Sequence, residues 1–190
     1  MKEPIFYRFI RPLLYLWFNL KYKPIVINKK EIPKKGKVIL AGNHTNNLDC
    51  FSLGYSTYRC VRFVAKSELA KGLKGVFFKM MGIIPVNRAI HDKSVIPTCV
   101  KLLEHENVIG IFPEGTINRT DNIIMPFKKG AVVMSFDTGA PIIPFAITGE
   151  YKKGKIKIKF GKMYYPKTKD PEKEVEILED KVIELLKKKD

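Results

Sequence analysis

Cysteine is scarce in this sequence and poorly spaced for bonding. Cys50, Cys60 and Cys99 are an odd set without a C-x-x-C pair, so neither a disulfide framework nor a cysteine-rich zinc site is expected, and a reducing compartment fits. Long apolar runs are missing as well. The greasiest stretch, IFYRFIRPLLYLWFNLKYK, holds no uncharged run longer than the nine residues from Pro12 to Leu20, whereas a membrane-crossing helix needs about 20. Lysines follow it in place of a small-residue cleavage site, so it does not read as a secretion signal. The G-x-S-x-G elbow, the G-x-x-x-x-G-K-[ST] phosphate loop and the G-x-G-x-x-G fingerprint are all absent, which removes three common catalytic arrangements. Acids are few: 19 Asp and Glu against 35 Lys and Arg leave a net charge of +16 and a pI near 9.7. The partner should be acidic: an anionic membrane, nucleic acid, an acidic protein or a phosphorylated substrate.

With 190 residues, 45% of them hydrophobic, the chain can bury one substantial core, and we expect one domain, residues 23–190, preceded by a segment, residues 1–22. Half of the charge excess falls in residues 1–37, where ten Lys or Arg stand against Glu3 and Glu31. Large apolar groups are mixed with these cations. Phe6, Arg8, Phe9, Arg11, Leu14, Trp17 and Phe18 therefore read as contacts of an amphipathic helix lying in a membrane interface, rings in the acyl boundary and cations at the lipid phosphates. The alternative is a helix that covers the core of its own domain. Pro12 should start or kink it. A nucleic-acid partner is disfavoured, because no recognised motif is present and the basic segment is full of leucines and aromatics.

Beyond residue 36 the chain alternates short β-branched runs with helical patterns. KVILAG (37–42), VRFVA (61–65), IIPVN (83–87), VIGIF (108–112) and IIPFAI (142–147) read as strands buried on both faces. Segments 47–58, 67–81, 93–106 and 129–138 have the length and spacing of helices. The expected fold is α/β, a single domain with a largely parallel sheet. KIKIKF (155–160) alternates strictly and reads as a half-exposed edge strand, and the acid-to-lysine gradient of the last segment suits a final amphipathic helix.

In such sheets chemistry gathers on loops beyond the carboxyl ends of the strands. Three polar stretches occupy that place: GNHTNNLD after the first strand, Arg88 after IIPVN, and PEGTINR after VIGIF. In the first, Asn46 can cap a helix with Asp49 in its opening turn. On a continuous helix, five residues would rotate His44 and Asp49 about 140° apart. They can meet only if His44 sits in the turn before the helix. There the carboxylate would take the proton of one ring nitrogen and leave the other for a substrate hydroxyl. In the third stretch Pro113 and Gly115 shape a tight turn, and Glu114, Thr116 and Arg119 supply a carboxylate, a hydroxyl and a guanidinium. A guanidinium suits phosphate. Arg88 and Arg119 converging on His44 would describe a pocket for a phosphorylated alcohol, although a lone Arg in either place is usually just solvated. His91 and His105 have no ligand partners at metal spacing, and no metal site is expected.

NHTNNLD, GIIPVNR, FPEGTINR and IIPFAI stand in the order and approximate spacing of the four sequence blocks of the glycerolipid acyltransferases, and the chain resembles that family over roughly residues 23–165. The resemblance implies a mixed, largely parallel central sheet flanked by helices, with an N-terminal helical segment on the membrane. It implies transfer of a fatty acyl group from a carrier thioester, acyl-CoA or acyl carrier protein, to the free hydroxyl of lysophosphatidate or, alternatively, of another lysolipid or glycerol 3-phosphate. His44 and Asp49 would be the catalytic pair, base and orienting acid. Asn43, Arg88, Glu114, Gly115, Thr116 and Arg119 would bind the acceptor, and Ile143 and Pro144 would shape the acyl pocket. No cofactor is implied, and the place of action would be the cytoplasmic face of the cell membrane. Asn46, Asn47 and Ile117 depart from the family pattern, which often has a serine, an aromatic and a basic residue there.

Overall fold

A computed structural model of the chain describes residues 4–66, 75–76, 82–86 and 94–188. The helix expected at 67–81 lies outside these apart from residues 75–76, as does Arg88. In chain order the elements are α1 (Ile5–Tyr22), β1 (Ile25–Ile27), β2 (Val38–Gly42), α2 (Asp49–Ser56), β3 (Val61–Lys66), β4 (Ile84–Val86), α3 (Val95–Glu104), β5 (Val108–Ile111), α4 (Gly130–Thr138), β6 (Ile142–Thr148), β7 (Lys157–Phe160) and α5 (Pro171–Lys187).

The strands form one sheet in the order β1-β7-β6-β2-β5-β3-β4. β2 lies between β5 and β6, parallel to both, and every residue of it is buried. This explains its unbroken apolar run: both faces meet helices. One face packs Ile39, Ile109 and Ile142 under α3, α4 and α5, through Cys99, Leu103, Val132, Met134, Leu178 and Val182. The other carries Leu40, Phe63, Ile143, Phe145 and Phe160 against Leu53 of α2. Gly42 ends β2 where β6 crosses closely. A Cβ there would stand 2.0 Å from the Phe145 carbonyl oxygen, so no side chain fits beside the turn that follows.

The sheet corrects two expectations. β7 is not an edge strand: it pairs antiparallel with β6 and parallel with β1. Its lysine face is covered at one end. Lys159 is buried, and its Nζ donates to the carbonyl of Lys188 at the C-terminal end of α5 at 2.5 Å, where the helix dipole favours a cation. Nor does Pro12 start α1. It sits inside the helix, on the exposed side with Arg8, where water can satisfy the Arg8 carbonyl that loses its N–H partner.

α1 shows two faces. Tyr7, Arg11, Leu14, Phe18 and Tyr22 recur at helical spacing toward the domain. Phe18 is 1% exposed and packs on Tyr22 and on Tyr55 of α2. Tyr15 stacks on Tyr55 at 4.5 Å. Arg11 donates through Nη2 to the Thr57 carbonyl at 2.8 Å and lies over the Tyr58 ring. Arg11 and Phe18, expected at a lipid surface, therefore fasten α1 to its own domain, while Phe6 and Leu14 are only partly exposed. The opposite face carries Ile5, Phe9, Leu13, Leu16 and Leu20, each 54–73% exposed, with Trp17 at 40% on its flank. The helix thus covers the core with one face and leaves an apolar stripe exposed on the other, the two split by its period of 3.6 residues.

This division is testable by stability. Phe18→Ala should cost about 3 kcal/mol in denaturant unfolding, as truncation of a buried aromatic does, and Leu16→Ala within about 0.5 kcal/mol of zero. Equal losses would show that α1 does not seat as described.

Candidate active site

The loops after β2, β5 and β6 meet at the carboxyl end of the sheet. After Gly42 the chain cannot continue pairing as backbone, because Asn43 substitutes for it. Its side-chain amide donates to the Ile147 carbonyl at 2.9 Å, and its oxygen accepts from the Ile147 N–H at 2.8 Å. Asn43 is 3% exposed, with both ends of its amide engaged. It is a brace between β2 and β6, not the substrate contact expected.

His44 lies in the turn before α2, and Asp49 opens that helix. The His44 Nδ1 is 2.8 Å from Asp49 Oδ2. A carboxylate only accepts, so Nδ1 carries a proton, and in the neutral imidazole Nε2 is then the acceptor. The same Oδ2 accepts from the Thr45 N–H at 2.7 Å and the Asn46 N–H at 2.8 Å. Asp49 thus folds the turn as well as orienting the ring. Asn46 does not cap α2. Its Oδ1 accepts from the Leu48 N–H, an Asx-turn one step earlier. The pair is asymmetric in access: Asp49 is fully buried, whereas the His44 side chain keeps 15% of its surface. The imidazole stacks on Phe112 with centroids 4.1 Å apart and planes at 17°.

The β5 loop supports this turn from the other side. Glu114 is 3% exposed. Its Oε1 accepts from the His44 N–H at 2.6 Å and its Oε2 from the Met125 N–H at 2.8 Å. Burial pushes this carboxyl above its usual range, and the two backbone bonds offset part of that. A buried anion with both oxygens engaged offers nothing to a phosphate, so Glu114 is a positioning residue and not a ligand. The Phe112 carbonyl accepts from the Gly115 N–H, closing the Pro113–Glu114 turn. Gly115 has φ +75°, with the Lys128 ammonium close above it. Thr116 and Arg119 are exposed, and Arg119 has no hydrogen bond or ion pair among the described residues. The Asn118 N–H donates to the His44 carbonyl at 2.8 Å. That bond sets Arg119 one residue from the His44 turn.

Ile143 and Pro144 are both buried in β6. Ile143 faces the Phe145 core, while Pro144 lies against Gly161 on the other side. Neither offers surface to an acyl chain here, because β6 is covered on both faces. Cys50, next to Asp49, is not a competing nucleophile: burial, then the Asp49 charge, pushes its thiol up to about 12, leaving almost no thiolate at neutral pH. Among the described residues no three His, Cys, Asp or Glu side chains converge as a metal site would require.

Sequence reasoning missed Phe112, Lys128 and Tyr151. The Tyr151 hydroxyl donates to Asp49 Oδ1 at 2.5 Å from the loop after β6. The strand-end rule that selected the other loops extends to this one, but a lone tyrosine among lysines carries no motif.

Removing the brace tests this geometry. Glu114→Ala should destabilise the chain by about 2 kcal/mol, since two N–H groups lose their acceptor. A loss under about 0.5 kcal/mol would mean that water replaces the carboxylate.

Comparison with known proteins adds a family. The family model described as Acyltransferase matches residues 23–148. The 1-acyl-sn-glycerol-3-phosphate acyltransferase of Bacillus subtilis is 32% identical over 164 residues, covering 82% of this chain and 80% of that protein. The protein of the same name from Borreliella burgdorferi is 36% identical over 129 residues, covering 66% of this chain and 51% of that protein. Among solved structures, the 1-acyl-sn-glycerophosphate acyltransferase PlsC of Thermotoga maritima superimposes with a TM-score of 0.69 at 22% identity, over 96% of this chain and 79% of that one. That likeness speaks for the fold.

Proposed function

This chain belongs to the Acyltransferase family, and on that footing we propose that it is a 1-acylglycerol-3-phosphate acyltransferase, moving a fatty acyl group from a carrier thioester to the free hydroxyl of lysophosphatidate to give phosphatidate. The observation that carries the reading is the His44–Asp49 contact of 2.8 Å at the open end of the sheet. His44 Nε2 takes the acceptor's hydroxyl proton as the oxygen attacks the thioester carbonyl. The new ester C–O bond forms, the C–S bond breaks, and the proton passes from the imidazolium to the departing thiolate. Asp49 balances the imidazolium in between. A thioester is already activated, so approximation and proton transfer suffice, and the reading calls for no metal or redox cofactor. The donor is a thioester of coenzyme A or acyl carrier protein, and either acidic carrier suits a chain of net charge +16.

The acceptor's phosphate is held by Arg119, an exposed residue next to Asn118, whose N–H bonds the His44 carbonyl, with Lys128 over the nearby Gly115. Arg88 is the further cation this reading assigns to the phosphate. No helix among the described residues is long and apolar enough to cross a membrane. The outer face of α1 lies instead in the interface of the cytoplasmic leaflet, with Ile5, Phe9, Leu13, Leu16 and Leu20 in the acyl boundary. A lysophospholipid stays in the bilayer, so its enzyme works best held there.

Two measurements test this. On lysophosphatidate and an acyl-CoA, His44→Ala should lower kcat at least about 10³-fold with KM little changed, and Arg119→Ala should raise KM for the acceptor about 10-fold or more. The opposite pattern would exchange the two roles. The triple variant Leu13→Gln/Leu16→Gln/Leu20→Gln should keep its fold and lose most of its binding to anionic liposomes. Undiminished binding would move the membrane contact elsewhere.

A further inference from the structure

Asp49 has two oxygens, and they are held differently. Oδ2 takes the imidazole and two backbone N–H groups. Oδ1 has one short bond among the described residues, from the Tyr151 hydroxyl at 2.5 Å, and a long one from Thr45 Oγ1 at 3.4 Å. Both oxygens turn together about the Cβ–Cγ bond, so a short bond on Oδ1 opposes any rotation that would carry Oδ2 off the imidazole. Tyr151 supplies that second hold. We infer that Tyr151, which no part of the mechanism above uses, is a positioning residue that sets the orientation of Asp49 and, through it, the aim of the His44 ring.

Its surroundings fit that task. The phenol oxygen is also 2.9 Å from Ser52 Oγ, three residues along α2 from Asp49 and fully buried. Since the carboxylate can only accept, the phenol proton goes to Asp49 and the serine donates to the phenol. Burial, followed by the charge of Asp49, raises the phenol well above its usual range, so it remains a donor at every working pH.

Tyr151 is itself supported from α1. The Tyr22 ring meets it edge-on, with centroids 5.6 Å apart and planes at 87°, and the Gly154 N–H donates to the Tyr22 carbonyl at 2.7 Å. Tyr22 is the last residue of α1 and is 6% exposed. The loop that reaches Asp49 therefore rests on the helix whose outer face is proposed to meet the bilayer. A contiguous path runs from Tyr22 through Tyr151 and Asp49 to His44, so the seat of α1 enters the chemistry through kcat as well as through membrane binding.

This inference rests on the reading of His44 as the base, and the test separates the two. Tyr151→Phe, made in the full chain, keeps the ring and removes only the hydroxyl. It should lower kcat for lysophosphatidate acylation about 10-fold, the scale of one hydrogen bond to a charged group, with KM within about two-fold of wild type. It should also shift or broaden the downfield proton resonance of the His44 Nδ1–H bond to Asp49, assigned by its disappearance in His44→Ala. Tyr22→Leu removes the supporting ring but keeps the phenol, and should give a smaller fall in kcat, about three-fold, again without change in KM. If Tyr151→Phe fails to fold, Tyr22→Leu carries the kinetic test alone, and an unchanged kcat there overturns the inference. A Tyr151→Phe enzyme with kcat within two-fold of wild type overturns it, and so does a fall in kcat with the His44 resonance unmoved. A folded wild type without turnover would overturn the functional reading instead, and the resonance would still decide whether Tyr151 sets Asp49.

Discussion

One buried carboxylate organises the open end of this sheet. Asp49 accepts from the His44 ring, from the Thr45 and Asn46 backbone and from the Tyr151 hydroxyl. It draws the end of β2, the start of α2 and the loop after β6 onto one group. A buried charge is tolerable only when its oxygens are fully engaged, and engaging them builds the turn that presents His44. Glu114 repeats the device from the loop after β5, with both oxygens on backbone N–H groups of segments that share no secondary structure. His44 is thus presented by a loop, yet by a loop pinned at buried acids, which gives it the fixed geometry that a positioned base requires.

The rest of the fold serves that placement. β2 is covered on both faces and anchored between β5 and β6, and close approach at Gly42 followed by the Asn43 clamp fixes where the turn begins. α1 closes the side of α2 with aromatic contacts while turning its apolar stripe outward. The His44 turn and the outward helix are therefore parts of one packed unit.

Much of this was legible in the residues, and the misses share a cause. Unbroken apolar runs identified the central strands because both faces of a parallel sheet are covered, and a rotation of about 140° over five helical residues meant that His44 could meet Asp49 only from a turn ahead of the helix. β1 went unseen, since three residues pairing with a strand more than a hundred positions later leave no local period. For the same reason KIKIKF read as an edge. Its alternation was right about faces, but neither β1 beside it nor the end of α5 over Lys159 is a local property. The family resemblance implied that Asn43 and Glu114 bind the acceptor, and nothing local in the sequence spoke against it. Only the tertiary structure shows that backbone N–H and C=O groups from distant segments already occupy them. Tyr151 was illegible for the converse reason: its partner lies 102 residues away.

The central claim is that this acid-held turn aims His44 Nε2 at an acceptor hydroxyl. The most direct measurement is a structure of the complex with lysophosphatidate and a non-hydrolysable acyl thioester analogue. The account predicts the free hydroxyl within about 3.2 Å of Nε2, the phosphate at Arg119, and the Asp49 contacts intact. A hydroxyl bound away from His44, with the imidazole turned off Asp49, would contradict it.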